Sequence, residues 1–216
     1  MNILLAVATK EEVESVMDSM STEGNDYIVN EHNVHVLVTG VGMVATTYHL
    51  TSMFSADISY DLMLNIGLAG SFDRDLKLGA VVQVTSDQFV ELGAEDDKEF
   101  ISANELGLLE EEEVIVHNEG VFKNEVIDGL VQVEGITVNT VHGEEGSIAK
   151  VLKRTTAGVE TMEGAAFFYV CKREGQPCAQ IRAISNYVEK RDKRSWQTGL
   201  ALKNLTTVTI DILKAL

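Results

Sequence analysis

The chain has 216 residues, 45% of them hydrophobic, and a formal net charge of −17. That length supports one α/β domain with a sizeable core rather than two, and so acidic a surface repels phosphate backbones and anionic lipid, which excludes nucleic acid and membrane as expected partners. No apolar run approaches the roughly 20 residues that a membrane helix needs. Residues 1–12 lack a basic leader region and a small-residue cleavage site, so no signal peptide is expected. Cys171 and Cys178 are the only cysteines. Without metal-ligand spacing, they suit free thiols in a reducing cytoplasm.

Along the chain, short runs rich in Val and Ile alternate with helical patterns. Strands are expected over residues 3–8, 34–40, 62–67, 80–86, 135–141 and 178–185, their apolar character suiting a mainly parallel sheet covered on both faces. Between them, Thr9 is expected to cap a helix over 10–20, with Glu12 completing a Thr-x-x-Glu capping box. Further helices are expected over 43–54, 164–174 and 198–216. The acidic stretch 91–113 reads as a surface loop or short helix. One proline, Pro177, and no Ser/Gly-rich linker argue for a single α/β sandwich domain over residues 1–216.

In such sheets ligands collect beyond the carboxyl ends of strands, which selects residues 9–12, 40–42, 65–70, 141–143, 160–163 and 182–186. Gly40-x-Gly42-x-x-Ala45 looks like a dinucleotide fingerprint, but no acidic residue ends the following strand to hold a ribose diol. Glycines that permit a tight turn or a close ligand explain the run better, and residues 67–70, "GLAG", read as a second such turn. In "VETMEGAAF", Glu160 and Glu163 precede an apolar helix, where the helix dipole alone would favour one carboxylate. Met162, Glu163 and Gly164 place a thioether, a carboxylate and a bare backbone together, suited to a ligand with an apolar face and a vicinal diol. His142 could touch a ligand or satisfy a backbone carbonyl. The cations Lys190, Arg191, Lys193 and Arg194 form the densest basic cluster, either a solvated turn or an anion patch. No metal-ligand spacing, P-loop or Ser–His–Asp arrangement occurs, so neither metal nor cofactor is expected.

Taken together, "AVATKEEVE", "VETMEGAA" and "IRAISN" resemble the nucleoside phosphorylase and nucleosidase superfamily, in order and spacing along nearly the whole chain. Close within it stand the methylthioadenosine/S-adenosylhomocysteine nucleosidases and the futalosine hydrolases. "TGVGMVATTYHL", "VNTVHGEEGSIAK" and "ISNYVE" look more like the futalosine hydrolases. The resemblance implies a three-layer α/β/α sandwich with a mixed, largely parallel central sheet, a small nucleoside substrate, and a homodimer or higher homo-oligomer. It puts Glu12 where water is activated, Arg182 where the nucleophile is positioned, and Glu163 on the ribose hydroxyls with Met162 against sugar and base. Trp196 falls on the aromatic that covers the 5′-substituent. Glu160, Ala69, Gly70 and Val141 fall among the residues lining the substrate. Leu68 departs from the serine of the adenosine-type pattern.

Asn186 stands where the adenine-specific relatives carry the aspartate that protonates purine N7. A protonated aspartic acid can donate to N7 while accepting from a 6-amino group. An amide instead donates its NH₂ to N7 and O6 and offers its oxygen to a neighbouring donor. Against adenine it would set donor on donor, at a cost of about 1–3 kcal/mol. Asn186 therefore predicts a 6-oxopurine leaving base, hypoxanthine ahead of guanine, and Arg191 or Arg194 is expected to pair with a carboxylate on the 5′-side of the substrate. A methylthioadenosine/S-adenosylhomocysteine nucleosidase, phosphorolysis of a purine nucleoside and a non-catalytic nucleoside sensor are the competing expectations.

Overall fold

The first strand, β1 (Asn2–Val7), shows how the layers arise. Ile3, Leu5 and Val7 enter one apolar cluster while Leu4 and Ala6 enter another, so the sheet is covered on both faces. The computed structural model describes residues 1–23, 26–54, 59–118 and 122–216. After β1 come a 3₁₀ turn (Lys10–Glu12), α1 (Glu14–Met17), β2 (Ser21–Glu23), β3 (Asp26–Val29), β4 (His32–Val38) and α2 (Met43–Phe54). Next are β5 (Leu62–Ser71), β6 (Val81–Gln88), β7 (Gly93–Asp96), β8 (Glu99–Ser102), α3 (Glu111–Val114) and β9 (Ile115–His117). Then follow α4 (Glu125–Asp128), β10 (Val131–Thr137), α5 (Glu145–Val151), β11 (Val159–Thr161), α6 (Gly164–Arg173), β12 (Cys178–Tyr187) and α7 (Thr198–Lys214).

One face of the sheet is packed by α1, α4 and α7 through Val16, Ile127, Ala201, Leu205, Ile212 and Leu213. The other is packed by α2 and α6 through Leu50, Phe167, Phe168 and Val170. Each of these buried Val, Leu, Ile and Phe side chains contributes about 1.5–3 kcal/mol. This is the expected three-layer sandwich. Strands β4, β1, β5 and β12 run parallel in that order, β6 is antiparallel to β12, and β10 and β11 run with β6. The sheet then closes on itself, because β11 pairs antiparallel with the far end of β5. That closure brings Glu160 of β11 beside the carboxyl ends of β5 and β12, although β11 runs the opposite way.

Three local expectations are corrected. The helix over 10–20 is a 3₁₀ turn and one short α-turn, since Val13 leaves helical geometry (φ −121, ψ −12) and sits in the core. Residues 67–70 are not a turn: β5 continues through them to Ser71. The 91–113 stretch holds a β7–β8 hairpin, with Asp97 at φ 53 in its turn and Gly93 where a Cβ would stand 2.2 Å from the Ile101 carbonyl. Nothing in its acidic composition signalled two strands. Among the described residues no helix is long and apolar enough to cross a membrane.

Candidate active site

β5 and β12 lie side by side in parallel, with Arg182 opposite Gly67 and Asn186 opposite Gly70. These two pairings organise the site into an inner and an outer end, three residues or ~10 Å apart along the strand.

At the inner end, a Cβ on Gly67 would stand 2.3 Å from Arg182 Nη1 and 2.8 Å from Glu12 Oε1. Only a glycine lets the guanidinium and the carboxylate converge over the strand. Glu12 is held at both oxygens: Oε1 accepts from the Leu68 N–H (3.1 Å), and Oε2 from the Thr9 N–H (2.9 Å) and hydroxyl (3.2 Å). The capping box thus fixes this carboxylate, and the backbone N–H of Leu68 supports it. Glu163, at the N-cap of α6, is buried and accepts from the Gly42 N–H at 2.9 Å. Burial pushes its carboxyl above the usual range; the Arg182 charge and the Gly42 and Met162 N–H groups pull it back, and neighbouring Glu12 pushes it up. Gly40 and Gly42, at φ 81 and 94, shape the β4–α2 turn that presents this N–H. Half-buried Met162 lies between Glu163 and β11 in the chain.

The bare backbone of Gly164 serves the protein rather than a ligand. A Cβ there would stand 2.1 Å from Asp87 Oδ2 and 2.3 Å from Gln180 Oε1. Those two residues and Thr137 were missed in the sequence, and Asn65 entered only as the first residue of the 65–70 segment. Arg182, 1% exposed, donates from Nε to Gln180 Oε1 (2.9 Å) and from Nη2 to Asn65 Oδ1. Gln180 Nε2 in turn donates to Asp87 (3.1 Å). The available signal was a polar residue within an apolar strand: Asn65 in "LMLNIG", Gln180 in "CAQIRA".

At the outer end, a cavity of ≈ 90 Å³ is lined by Gly70, Val141, His142, Glu160, Asn186, Arg191 and Trp196, among others. A Cβ on Gly70 would lie 3.3 Å from Asn186 Nδ2. The amide is oriented by its neighbours: Ser185 Oγ donates to Oδ1 (2.8 Å), and Nδ2 donates to the Tyr187 carbonyl (3.0 Å). One N–H is left for a ligand rather than two. Glu160 pairs with Gly70 across the β11–β5 closure, and both its oxygens engage His142, at the backbone N–H (2.9 Å) and at Nδ1. Burial raises the Glu160 carboxyl, and the His142 contacts oppose the rise. His142 thus bonds a carboxylate, not a carbonyl.

The Arg191 guanidinium sits 5.2 Å from the Trp196 ring centre. Arg194 is elsewhere: 90% exposed and gripped by Asp192 through Nε and Nη2, it does not line the cavity. Ala69 turns its methyl into the core, and its carbonyl accepts from Ser185 Oγ at 3.3 Å. Among the described residues no cluster of three or more His, Cys, Asp or Glu could hold a metal.

Residues 3–216 match the profile of the phosphorylase superfamily. The futalosine hydrolase of Streptomyces coelicolor is 25% identical over 95% of this chain and 92% of its own. That of Thermus thermophilus is 29% identical over 78% and 76%. Among solved structures, a 5′-methylthioadenosine/S-adenosylhomocysteine nucleosidase from S. pneumoniae, bound to a transition-state inhibitor, superposes with a TM-score of 0.80 at 16% identity, covering 100% of this chain and 99% of its own.

Proposed function

The chain belongs to the phosphorylase superfamily, and we propose that it hydrolyses the N-glycosidic bond of futalosine, releasing hypoxanthine and dehypoxanthine futalosine as a step of menaquinone biosynthesis. The observation that carries this reading is the spacing of the two ends. Glu12 converges with Arg182 at Gly67, Glu163 is coupled to both charges, and a neutral amide faces a cavity ~10 Å along the strand at Gly70.

Glycosidic cleavage passes through an oxocarbenium-like sugar, so the site must deprotonate water, stabilise the cation and accept charge on the base. Glu12, with both oxygens fixed, takes the water proton, and Arg182 orients the nucleophile beside it. Glu163 grips the 2′- and 3′-hydroxyls and sets negative charge near C1′. Asn186 donates its free N–H to the N7/O6 edge. It cannot protonate the base, which a 6-oxopurine tolerates because its anion leaves more readily than that of adenine. Arg191 meets the 5′-side carboxylate while Trp196 covers the aryl ring. Phosphorolysis fits poorly, since the two carboxylates would repel phosphate at the sugar.

A homodimer in the cytoplasm completes the reading. The α2 face, with Val44 82% and Tyr48 67% exposed, forms an open apolar groove immediately after the Gly42 turn that holds Glu163. A second copy seated there would cover the open side of the sugar site. Incubation with futalosine in phosphate-free buffer, following base and sugar products, tests the activity: hypoxanthine with an unphosphorylated sugar product is expected. Strict dependence on phosphate, or release of base only from methylthioadenosine, would overturn the assignment.

A further inference from the structure

Asp87 on β6 is fully buried and lies outside the substrate cavity. Its Oδ1 accepts from the Thr137 hydroxyl at 2.8 Å and its Oδ2 from Gln180 Nε2 at 3.1 Å. Two glycines make room for it: a Cβ on Gly135 would stand 3.0 Å, and one on Gly164 2.1 Å, from Oδ2. So much accommodation around one buried carboxylate calls for an explanation, because burying a charge is costly unless its contacts are specific.

The polarity of those contacts supplies one. A carboxylate only accepts, so it forces the Gln180 NH₂ toward itself and the Gln180 oxygen toward Arg182 Nε. The same logic runs through Thr137: its proton goes to Asp87, leaving its oxygen to accept from the Ala165 N–H (2.8 Å) in the first turn of α6. That turn carries Glu163 as its cap.

We infer that Asp87 is a positioning residue for hydrolysis: by fixing which way the Gln180 amide points, it sets the Arg182 guanidinium against Glu12 and Glu163. If position 87 could donate, Gln180 could turn over and present NH₂ to the guanidinium. Arg182 would then keep Asn65 and lose its Nε partner.

The inference rests on the nucleosidase reading, and its test separates the two. Asp87→Asn should lower kcat on futalosine by roughly 10–100-fold, the scale of a small misplacement of catalytic groups, with KM changed by less than about threefold. The double variant Asp87→Asn/Gln180→Glu should regain most of that loss, since a carboxylate at 180 accepts from both the new amide and Arg182 Nε. A merely structural carboxylate predicts no such recovery. An Asp87→Asn protein with kcat within twofold of wild type would overturn the inference, as would a double variant that folds normally by circular dichroism yet stays slow. Should Asp87→Asn not fold, Gln180→Met decides: a loss of kcat supports the relay and an unchanged kcat refutes it. If the wild type itself releases no base, the functional reading fails. The crystal structure of Asp87→Asn still answers, through whether Arg182 has left Gln180.

Discussion

The inner and outer ends of the site are built by different means. Around Gly67, Glu12 is tied to the backbone of two elements and Glu163 to a third, and Arg182 is buried on a chain of side chains reaching Asp87. Around the outer cavity, Asn186 is held by its immediate neighbours in sequence, Arg191 leans on Trp196, and Arg194 points into solvent. The inner end has little freedom to change without loss of the core. The outer end can exchange side chains at small cost to the fold, and the proposed function puts substrate choice there.

The sharpest break in this contrast is Glu12→Gln. It is isosteric and removes the proposed base, while setting its NH₂ against either the Leu68 or the Thr9 N–H, so kcat should fall about 10²–10⁴-fold with KM little altered, measured by release of hypoxanthine. A loss shared equally by KM would place Glu12 in binding instead.

At the outer end effects should be smaller and selective. Arg191→Ala should raise KM for futalosine about tenfold, the scale of a partly screened charge-assisted contact, and leave inosine hydrolysis unchanged. Arg194→Ala, already paired with Asp192 in solvent, should alter neither. Equal losses on both substrates for Arg191→Ala would remove the carboxylate contact from the account.

The degree to which each end could be read in the sequence follows the same division. Glu12, Glu163, Arg182 and Asn186 sit in local motifs at strand or helix ends, and β1, α2, α6 and β12 follow from apolar periodicity. Asp87 gave no such signal: in "VVQVTSDQFV" it lies just past the strand expected over 80–86, and only the approach of β10, β12 and α6 buries it. The His142–Glu160 pair was equally hidden, because its partners lie on the loop after β10 and on a three-residue strand, brought together by the β10–β11 pairing. Arg194 was drawn into the site by its place in a cationic run, while its neighbour Asp192 holds it outside.

The smallest expected effect concerns pH and stability. Burial, opposed by Thr137, Gln180 and Arg182, raises the Asp87 carboxyl from 3.8 to about 6. Between those values the folded protein holds a proton that the unfolded chain has released, so this stabilising contribution is full below 3.8 and gone above about 6. Asp87→Asn lacks that dependence. Melting curves should therefore show the variant gaining relative to wild type, by a few degrees, as pH rises from about 4 to 7. A gap independent of pH would mean that Asp87 stays ionised throughout.

The central claim is that a neutral amide at 186 selects a 6-oxopurine. The most direct measurement is the ratio of kcat/KM for futalosine to that for its 6-amino counterpart, in wild type and in Asn186→Asp. The wild type should favour the 6-oxo substrate by about 10–100-fold, and the aspartate should erase or reverse that preference. An unchanged ratio in the variant would contradict it.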